Sequence, residues 1–494
     1  MDLLTSAAQS PSLHGAEGAE CMVATGHPLA SDAALCVLRA GGSAVDAAIA
    51  ADAVLGVVEP MTTGVGGDML AMVVPPCAAP VAYNGTGRAP AGLDAPRVEA
   101  LPQARLPERH PLSVTVPGAV RGWHDLHARF GRLPWAGLFA PAIAAARDGF
   151  AVAPVCAREW GLFAGVLLRD AAVSALYRAP APPSAGDRFA NPGLARTLEA
   201  IAAEGPNAFY LGEPARAAAA HVQALGGVLA AEDFAAHTGH FCAPASTQFR
   251  GLTVLECPPN THGVAVLRAL DALAGQALDP QDPQTTVRAV QAMGEALQWA
   301  KRTVADPAGN TVCTAVVDRD GLAVTLMTSV FKRFGSGIAA PGCGFVLQNR
   351  GFGFSEPGHI NGPAPGKRPY HTVVPGAALR DGRFHAGFGV VGGAMQPQGQ
   401  LQLLLRVAAW GEPLQAALDA PRWRLESDTA LAIEAGMPAD VAQALRDAGY
   451  VEPAGLGELG GRSDFGGAQW VMRTADGRLA GASDKRKDGF AAGW

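Results

Sequence analysis

Apolar and polar residues along the first three hundred positions follow the pattern of helices separated by short turns. The segment 44–57 is so rich in alanine that its helix is expected to pack closely and to be deeply buried. The predicted helices comprise residues 29–39, 44–57, 141–147, 195–204, 215–225 and 285–303. Glycine pairs follow the first and fifth of these helices, where a left-handed residue commonly ends a helix.

A strand pattern dominates the chain after Asn310. Before that point, only the apolar run 69–74, which follows a glycine-rich turn, is predicted as a strand. Residues 311–318 and 322–330 are predicted as two strands joined by an Asp-Gly hairpin turn. Helices before this junction and strands after it favour stacked β-sheets covered by helices.

Composition excludes several classes of function. With 49% hydrophobic and 17% charged residues, the chain of 494 residues is typical of a soluble globular protein with a large core. Its net charge of −6 indicates no basic surface for nucleic acid or an anionic membrane. The eight cysteines are scattered, without the spacing of metal ligands. No signal peptide or membrane-spanning stretch is visible, so a cytoplasmic protein is expected.

One candidate for catalysis remains after common motifs are eliminated. The chain has no G-x-S-x-G elbow, no H-E-x-x-H motif and no P-loop. Thr311 opens a predicted strand, and a threonine at a new N-terminus would carry its own base, an α-amino group with a pKa of about 8. Because β-branched residues commonly begin strands, Thr311 by itself does not establish this chemistry.

The motifs around Thr311 resemble the start of the small subunit of gamma-glutamyltranspeptidases. They are residues 310–312 (Asn-Thr-Val), 316–321 (Val-Val-Asp-Arg-Asp-Gly), 328–329 (Thr-Ser) and 334–337 (Phe-Gly-Ser-Gly). Further matches follow in the family's order at residues 22–24, 27–31, 41–48, 58–60, 64–67, 116–118, 210–212, 249–251 and 258–260. The resemblance covers nearly the whole chain and implies an N-terminal-nucleophile hydrolase with an α+β fold, a four-layer αββα sandwich.

The resemblance also implies roles for individual residues. Cleavage between Asn310 and Thr311 would divide one intertwined catalytic domain into a large segment, 1–310, and a small segment, 311–494. Thr311 would then be the nucleophile, and Ser329 takes the place of a second threonine that supports it. Gly392 and Gly393 match a pair whose backbone N–H groups stabilise the oxyanion. No metal or organic cofactor is implied; the two segments would stay associated, and a homo-oligomer is compatible with the sequence.

The substrate-binding positions differ from those of the transpeptidases. Thr86 stands where the family has a carboxylate-binding arginine, Gly353 where it has an ammonium-binding aspartate, and Phe331 where it has an asparagine. The motifs at 85–90, 347–351, 367–372 and 392–399 instead resemble the oxamate amidohydrolase and cephalosporin-acylase-like branch. This resemblance nominates four substrate-binding residues: Arg88, Arg350, His371 and Thr372. A structural salt bridge is the alternative for each arginine.

The resulting hypothesis is a self-processing amidohydrolase that cleaves a small-molecule amide through a threonyl acyl-enzyme. A gamma-glutamyl hydrolase or transpeptidase with a rebuilt pocket is one alternative. An unprocessed, non-catalytic relative with a binding role is another, because only residues 303–310 separate the last predicted helix from Thr311, fewer than family members usually have.

Self-cleavage gives a direct test on a denaturing gel. The purified protein should run as fragments of 310 and 184 residues (494 − 310), and the smaller should begin Thr-Val-Cys-Thr on N-terminal sequencing. A freshly purified, fully folded protein that stays intact would contradict the proenzyme hypothesis.

Overall fold

The computed structural model describes residues 15–178, 181–304, 310–453 and 465–494, and the side chains of Asn310 and Thr311 lie outside this description. Within these ranges, nine strands begin before Asn310: β1 (Ala16–Gly18), β2 (Met22–Thr25), β3 (Asp68–Val74), β4 (Val81–Asn84), β5 (Phe150–Ala151), β6 (Arg188–Phe189), β7 (His240–Cys242), β8 (Ala245–Phe249) and β9 (Leu252–Glu256). The later described strands are β10 (Asn310–Val317), β11 (Ala323–Phe331), β12 (Ala339–Ala340), β13 (Phe345–Val346), β14 (Gly376–Arg380), β15 (Arg383–Val391), β16 (Trp423–Leu425), β17 (Leu431–Ile433), β18 (Gly467–Arg473), β19 (Leu479–Ser483) and β20 (Phe490–Gly493).

Most described helices precede the predicted cleavage site. They are α1 (Pro28–Arg39), α2 (Ala44–Val58), α3 (Ala95–Glu99), α4 (Ala119–Phe130), α5 (Ala140–Asp148), α6 (Pro154–Leu162), α7 (Ala164–Leu167), α8 (Ala171–Leu176), α9 (Pro192–Glu204), α10 (Asn207–Tyr210), α11 (Glu213–Ala224), α12 (Ala231–Ala235), α13 (Gly263–Leu273) and α14 (Pro283–Thr303). The later ones are α15 (Met395–Leu404), α16 (Leu414–Asp419) and α17 (Ala439–Asp447). All six predicted helices are confirmed, with ends shifted by a few residues.

Two seven-stranded antiparallel sheets form the centre of the molecule. The first has the order β1-β19-β18-β15-β14-β9-β8, and the second has the order β20-β2-β10-β11-β3-β4-β7. Each sheet therefore combines strands from before and after Asn310. The predicted division into helices and then strands is wrong in this respect, because strands of three to five residues, such as β2, β4 and β9, carry too little periodicity to be recognised.

The four layers are defined by three hydrophobic cores. One core lies between the second sheet and the helices that include α1 and α2. Another lies between the two sheets and contains Met72, Met327 and Val471. The third packs the first sheet against α13, α14 and α15. The αββα sandwich is thus confirmed.

Helix α2 is deeply buried in its helical layer. Every one of its fifteen residues is buried, as the alanine-rich sequence predicted, since a helix that is apolar all round requires neighbours on every side. Its N-terminus is closed by a capping box between Ser43 and Asp46. Among the described residues, no helix is both long enough and apolar enough to cross a membrane.

Candidate active site

The backbone of Thr311 lies where the register of two central strands shifts. On β10, Asn310 pairs with Phe331 of β11, whereas Val312 pairs with Thr328, so one extra residue of β11 is accommodated between these pairs. Thr311 therefore lies across from the segment that contains Ser329. Its side chain is outside the described residues, as are residues 305–309 of the predicted cleavage segment.

Phe331 has an unusual backbone conformation at this point. Its φ of 78° lies in the left-handed region, which a bulky residue rarely adopts. Phe331 is also completely buried. Backbone strain of this kind is often concentrated at functional sites, and here it occurs at the residue paired with the N-terminal side of the predicted scissile bond.

Gly392 and Gly393 follow β15 toward the same end of the sandwich. A Cβ atom added to Gly389 would meet Cys313 Sγ at 2.6 Å and Met327 Sδ at 2.8 Å, so β15 crosses closely over β10 and β11. The two glycines come three and four residues later, with φ angles of 117° and 62°, which favour glycine. Among the described residues, neither of their N–H groups has a hydrogen-bond acceptor, as an oxyanion site requires.

Ser329, Arg350 and Thr372 are directly linked by hydrogen bonds. Arg350 Nη2 donates to Ser329 Oγ at 3.1 Å, and Nη1 donates to Thr372 Oγ1 at 3.1 Å. Ser329 Oγ also accepts the N–H of Phe331 at 2.9 Å. The Arg350 guanidinium lies 4.0 Å from the centroid of the Phe331 ring, within the range of a cation–π contact.

Asp68, the first residue of β3, connects this group to His371. Its Oδ1 accepts from the N–H of Gly87 at 2.6 Å and from Gln348 Nε2 at 2.7 Å. Its Oδ2 lies 3.0 Å from His371 Nε2 and 3.7 Å from Arg350 Nε. We use the name Asp68 cluster for six residues: Asp68, Ser329, Gln348, Arg350, His371 and Thr372. Each of them is completely buried.

Sequence reasoning missed Asp68 and Gln348. The available signals were an acidic residue at the start of the apolar run 69–74, and the position of Gln348 two residues before Arg350. Neither signal is specific, because Asp68 and Gln348 are separated by 280 positions and meet only in the fold.

The cluster contains one anion and one cation. Burial alone would raise the pKa of Asp68, but the hydrogen bond from His371, the Arg350 charge and the hydrogen bond from Gln348 hold it below its ordinary value. Burial lowers the pKa of Arg350 to about 9, against the opposing charge of Asp68, so the guanidinium stays charged at neutral pH. Burial and the Arg350 charge lower the pKa of His371 to about 4.

His371 is therefore neutral, and its surroundings determine the tautomer. Nδ1 accepts the N–H of Val373 at 3.2 Å, which leaves the proton on Nε2, where it is donated to Asp68. His371 therefore adds no charge to the cluster.

Arg88 is not part of this cluster. Its Nη1 donates to the carbonyl of Gly366 at 3.0 Å, and its own carbonyl accepts the N–H of Val116. Gly353 is buried, and its carbonyl accepts from Asn361 Nδ2 at 2.8 Å. Of the four predicted substrate-binding residues, the structure thus brings Arg350, His371 and Thr372 together with Ser329, and gives Arg88 different partners.

Comparison with known proteins identifies the family of the chain. The family model of gamma-glutamyltranspeptidase matches residues 30–308 and 301–494. The oxamate amidohydrolase proenzyme of Klebsiella pneumoniae is 35% identical, over 96% of this chain and 98% of its own. The glutathione hydrolase-like YwrD proenzyme of Bacillus subtilis is 32% identical, over 96% and 99%. The crystal structure of cephalosporin acylase from Bacillus halodurans superimposes with a TM-score of 0.91 at 34% identity, covering 98% and 97% of the two chains.

The αββα sandwich, together with the similarity to proenzyme amidohydrolases and acylases, defines a self-processing amidohydrolase of the N-terminal-nucleophile class. The chain belongs to the gamma-glutamyltranspeptidase family. It is similar to that family's oxamate amidohydrolase and cephalosporin acylase members, as its motifs predicted.

Buried neutral histidines should make the protein sensitive to mild acid. Burial lowers the pKa of His371 and of His237 to about 4 and that of His262 to about 3. Between about pH 6.5 and these values the unfolded chain binds protons that the folded protein does not, so stability falls as the pH falls, by about 2 kcal/mol per group at pH 5.

Calorimetry at pH 7.5 and pH 5 measures this contribution by comparing the wild type with a variant, because burial also raises the pKa of Asp52 to about 7 and raises that of Glu256, and protonation of these carboxyls stabilises the folded protein as the pH falls. The His262→Gln variant can still donate to the Thr372 carbonyl, which lies 3.1 Å from His262 Nε2, and its melting temperature should fall less, or rise more, between pH 7.5 and pH 5 than that of the wild type. An identical change in the two proteins would contradict the lowered pKa of His262.

Proposed function

We propose that Thr311, released by cleavage after Asn310, hydrolyses the amide of a short acyl group that carries a carboxylate and no α-ammonium group. The observation that supports this most directly is the position of Arg350, whose guanidinium is hydrogen-bonded to Ser329 across from Thr311. The name of the similar oxamate amidohydrolase proenzyme agrees with such a substrate.

In the proposed reaction, the α-amino group of Thr311 takes the proton of its own hydroxyl, and the oxygen attacks the amide carbonyl. The N–H groups of Gly392 and Gly393 stabilise the negative charge of the tetrahedral intermediate. The C–N bond then breaks, and the amine leaves with the proton that the α-amino group held. Water attacks the resulting acyl-enzyme and releases the acid and the free Thr311 hydroxyl.

A carboxylate on the acyl group would find a donor close to the reacting carbon. A guanidinium has five N–H bonds, and Arg350 directs one to Thr372 and one to Ser329. Because Nε faces Asp68 and Nη2 is 3.1 Å from Ser329 Oγ, a carboxylate bound by the second N–H of Nη1 or Nη2 would lie near the scissile carbonyl. This favours a short acyl group, such as that of oxamate.

An α-ammonium group on the substrate would lack a partner. Gly353 supplies no carboxylate at the position that is acidic in transpeptidases, and Asp68 already accepts hydrogen bonds from Gly87, Gln348 and His371. Desolvating an ammonium without a counter-charge costs on the order of several kcal/mol. Discrimination against gamma-glutamyl compounds follows from this cost.

The role of Thr311 is tested by two substitutions. Thr311→Ala should abolish both self-cleavage and turnover, because one hydroxyl serves both reactions. Thr311→Ser should retain part of each, because the hydroxyl remains while the methyl group that restricts its rotamer is lost. Gels and amide hydrolysis assays measure the two reactions, and substantial turnover by a cleaved alanine variant would assign the nucleophile elsewhere, with Ser329 as the next candidate.

Substrate class is tested with a matched pair of anilides. Glutaryl and gamma-glutamyl anilides differ only in the α-amino group, and the glutaryl compound should react roughly a thousandfold faster in kcat/KM, the factor that several kcal/mol implies. Oxamate should also be hydrolysed. Faster turnover of the gamma-glutamyl anilide would instead favour a gamma-glutamyl hydrolase or transpeptidase, as the similarity to the YwrD proenzyme allows.

A further inference from the structure

We infer that Asp68 is a positioning residue for the nucleophile, acting through Arg350 on the hydroxyl of Ser329. The inference rests on the proposed role of Thr311 but not on the identity of the substrate. Asp68 is a poor candidate for direct contact with substrate, because both of its oxygens already accept hydrogen bonds from groups of the protein.

The first step of the argument concerns Arg350. Among the described residues, Asp68 is the carboxylate that forms an ion pair with this arginine, at 3.7 Å from Nε. The Phe331 ring covers the guanidinium at 4.0 Å, and Thr372 accepts from Nη1. With its counter-charge on one edge and these contacts around it, the planar guanidinium has one favourable orientation.

The second step concerns the hydroxyl of Ser329. A serine oxygen has two lone pairs and one proton. The Phe331 N–H and Arg350 Nη2 both donate to this oxygen, at 2.9 and 3.1 Å, so both lone pairs are occupied and the proton must be directed at a third atom. On this proposal the acceptor of that proton is Thr311, whose backbone lies across from this part of β11.

The third step concerns His371, which Asp68 holds through Oδ2, the same oxygen that faces Arg350. The Nε2 proton of His371 goes to Asp68, while its backbone N–H donates to the Asn260 carbonyl at 2.7 Å. This fixes the segment that carries Thr372, the second hydroxyl bound by Arg350. Asp68 therefore acts on the arginine in two ways: directly, as the counter-charge near Nε, and indirectly, through the segment that carries Thr372.

The test compares three variants that separate positioning from stability. Asp68→Asn keeps the shape of the side chain and removes the charge, which leaves Arg350 buried without its counter-charge. Asp68→Asn combined with Arg350→Gln restores charge balance but removes the donor to Ser329. Glu159→Gln is the matched control, because Glu159 and Arg333 form another buried ion pair, at 2.8 Å with 2% and 4% exposure of the two side chains.

Three properties are measured for each variant: the half-life of self-cleavage, the kinetic constants kcat and KM for hydrolysis of oxamate, and the melting temperature. Asp68→Asn should lower the melting temperature and slow both self-cleavage and kcat by on the order of a hundredfold, the effect of a misplaced reacting group. The double variant should recover melting temperature while both reactions remain slow. Glu159→Gln should lose melting temperature yet cleave itself within about twofold of the wild-type rate.

Self-cleavage by Asp68→Asn at the wild-type rate would overturn the inference. So would rates that follow the melting temperature across all three variants, since Asp68 would then act only through stability. Self-cleavage requires no added substrate, so it tests the role of Asp68 independently of the substrate class. A wild-type enzyme that cleaves itself but does not hydrolyse amides of carboxylate-bearing acyl groups would contradict only the proposed substrate class.

Discussion

The buried carboxylate of Asp68 is the interaction on which the rest of the site depends. A charge removed from water must be compensated by the protein, and here the compensation comes from the loop at Gly87, from Gln348 and Arg350, and from His371. These segments are far apart in sequence. Gly87, Gln348 and His371 donate hydrogen bonds to this anion, and Arg350 is its counter-charge, so the geometry around Ser329 is a consequence of compensating Asp68.

Strand pairing and buried ion pairs join the two parts of the chain on either side of Asn310. In the second sheet, β10 and β11 lie between β2 and β3, so strands from the later segment are hydrogen-bonded on both edges to strands from the earlier one. Buried ion pairs add to this: Lys487 with Glu59 at 3.2 Å, and Arg333 with Glu159. Cleavage of one peptide bond would leave all of these contacts intact, which is the physical reason to expect the two segments to stay together.

Glycines of β15 and of the turn after it position the proposed oxyanion donors. Gly392 and Gly393 adopt positive φ angles at the end of β15, and the close approach of Gly389 to Cys313 and Met327 brings this strand against the start of β10. Glycine is required for both features, because a Cβ atom would clash with the facing sheet or strain the turn. The proposed oxyanion donors are thus aimed by the packing of two sheets.

The sequence by itself determined the local elements and the family. The helix at 44–57, the hairpin after β10, and the resemblance that nominated Thr311, Ser329 and Gly392 all rest on short-range patterns, which a linear chain displays directly. The assignment of Arg350 and Arg88 was different, since each arginine had a salt bridge as an equal alternative. The tertiary structure gave them different partners: Arg350 forms a buried ion pair with Asp68 and donates to Ser329, whereas Arg88 donates to the Gly366 carbonyl. The role of Asp68 could not be predicted from the sequence, because its partner His371 lies 303 positions away. The need to compensate a buried charge arises only when the chain has folded around it.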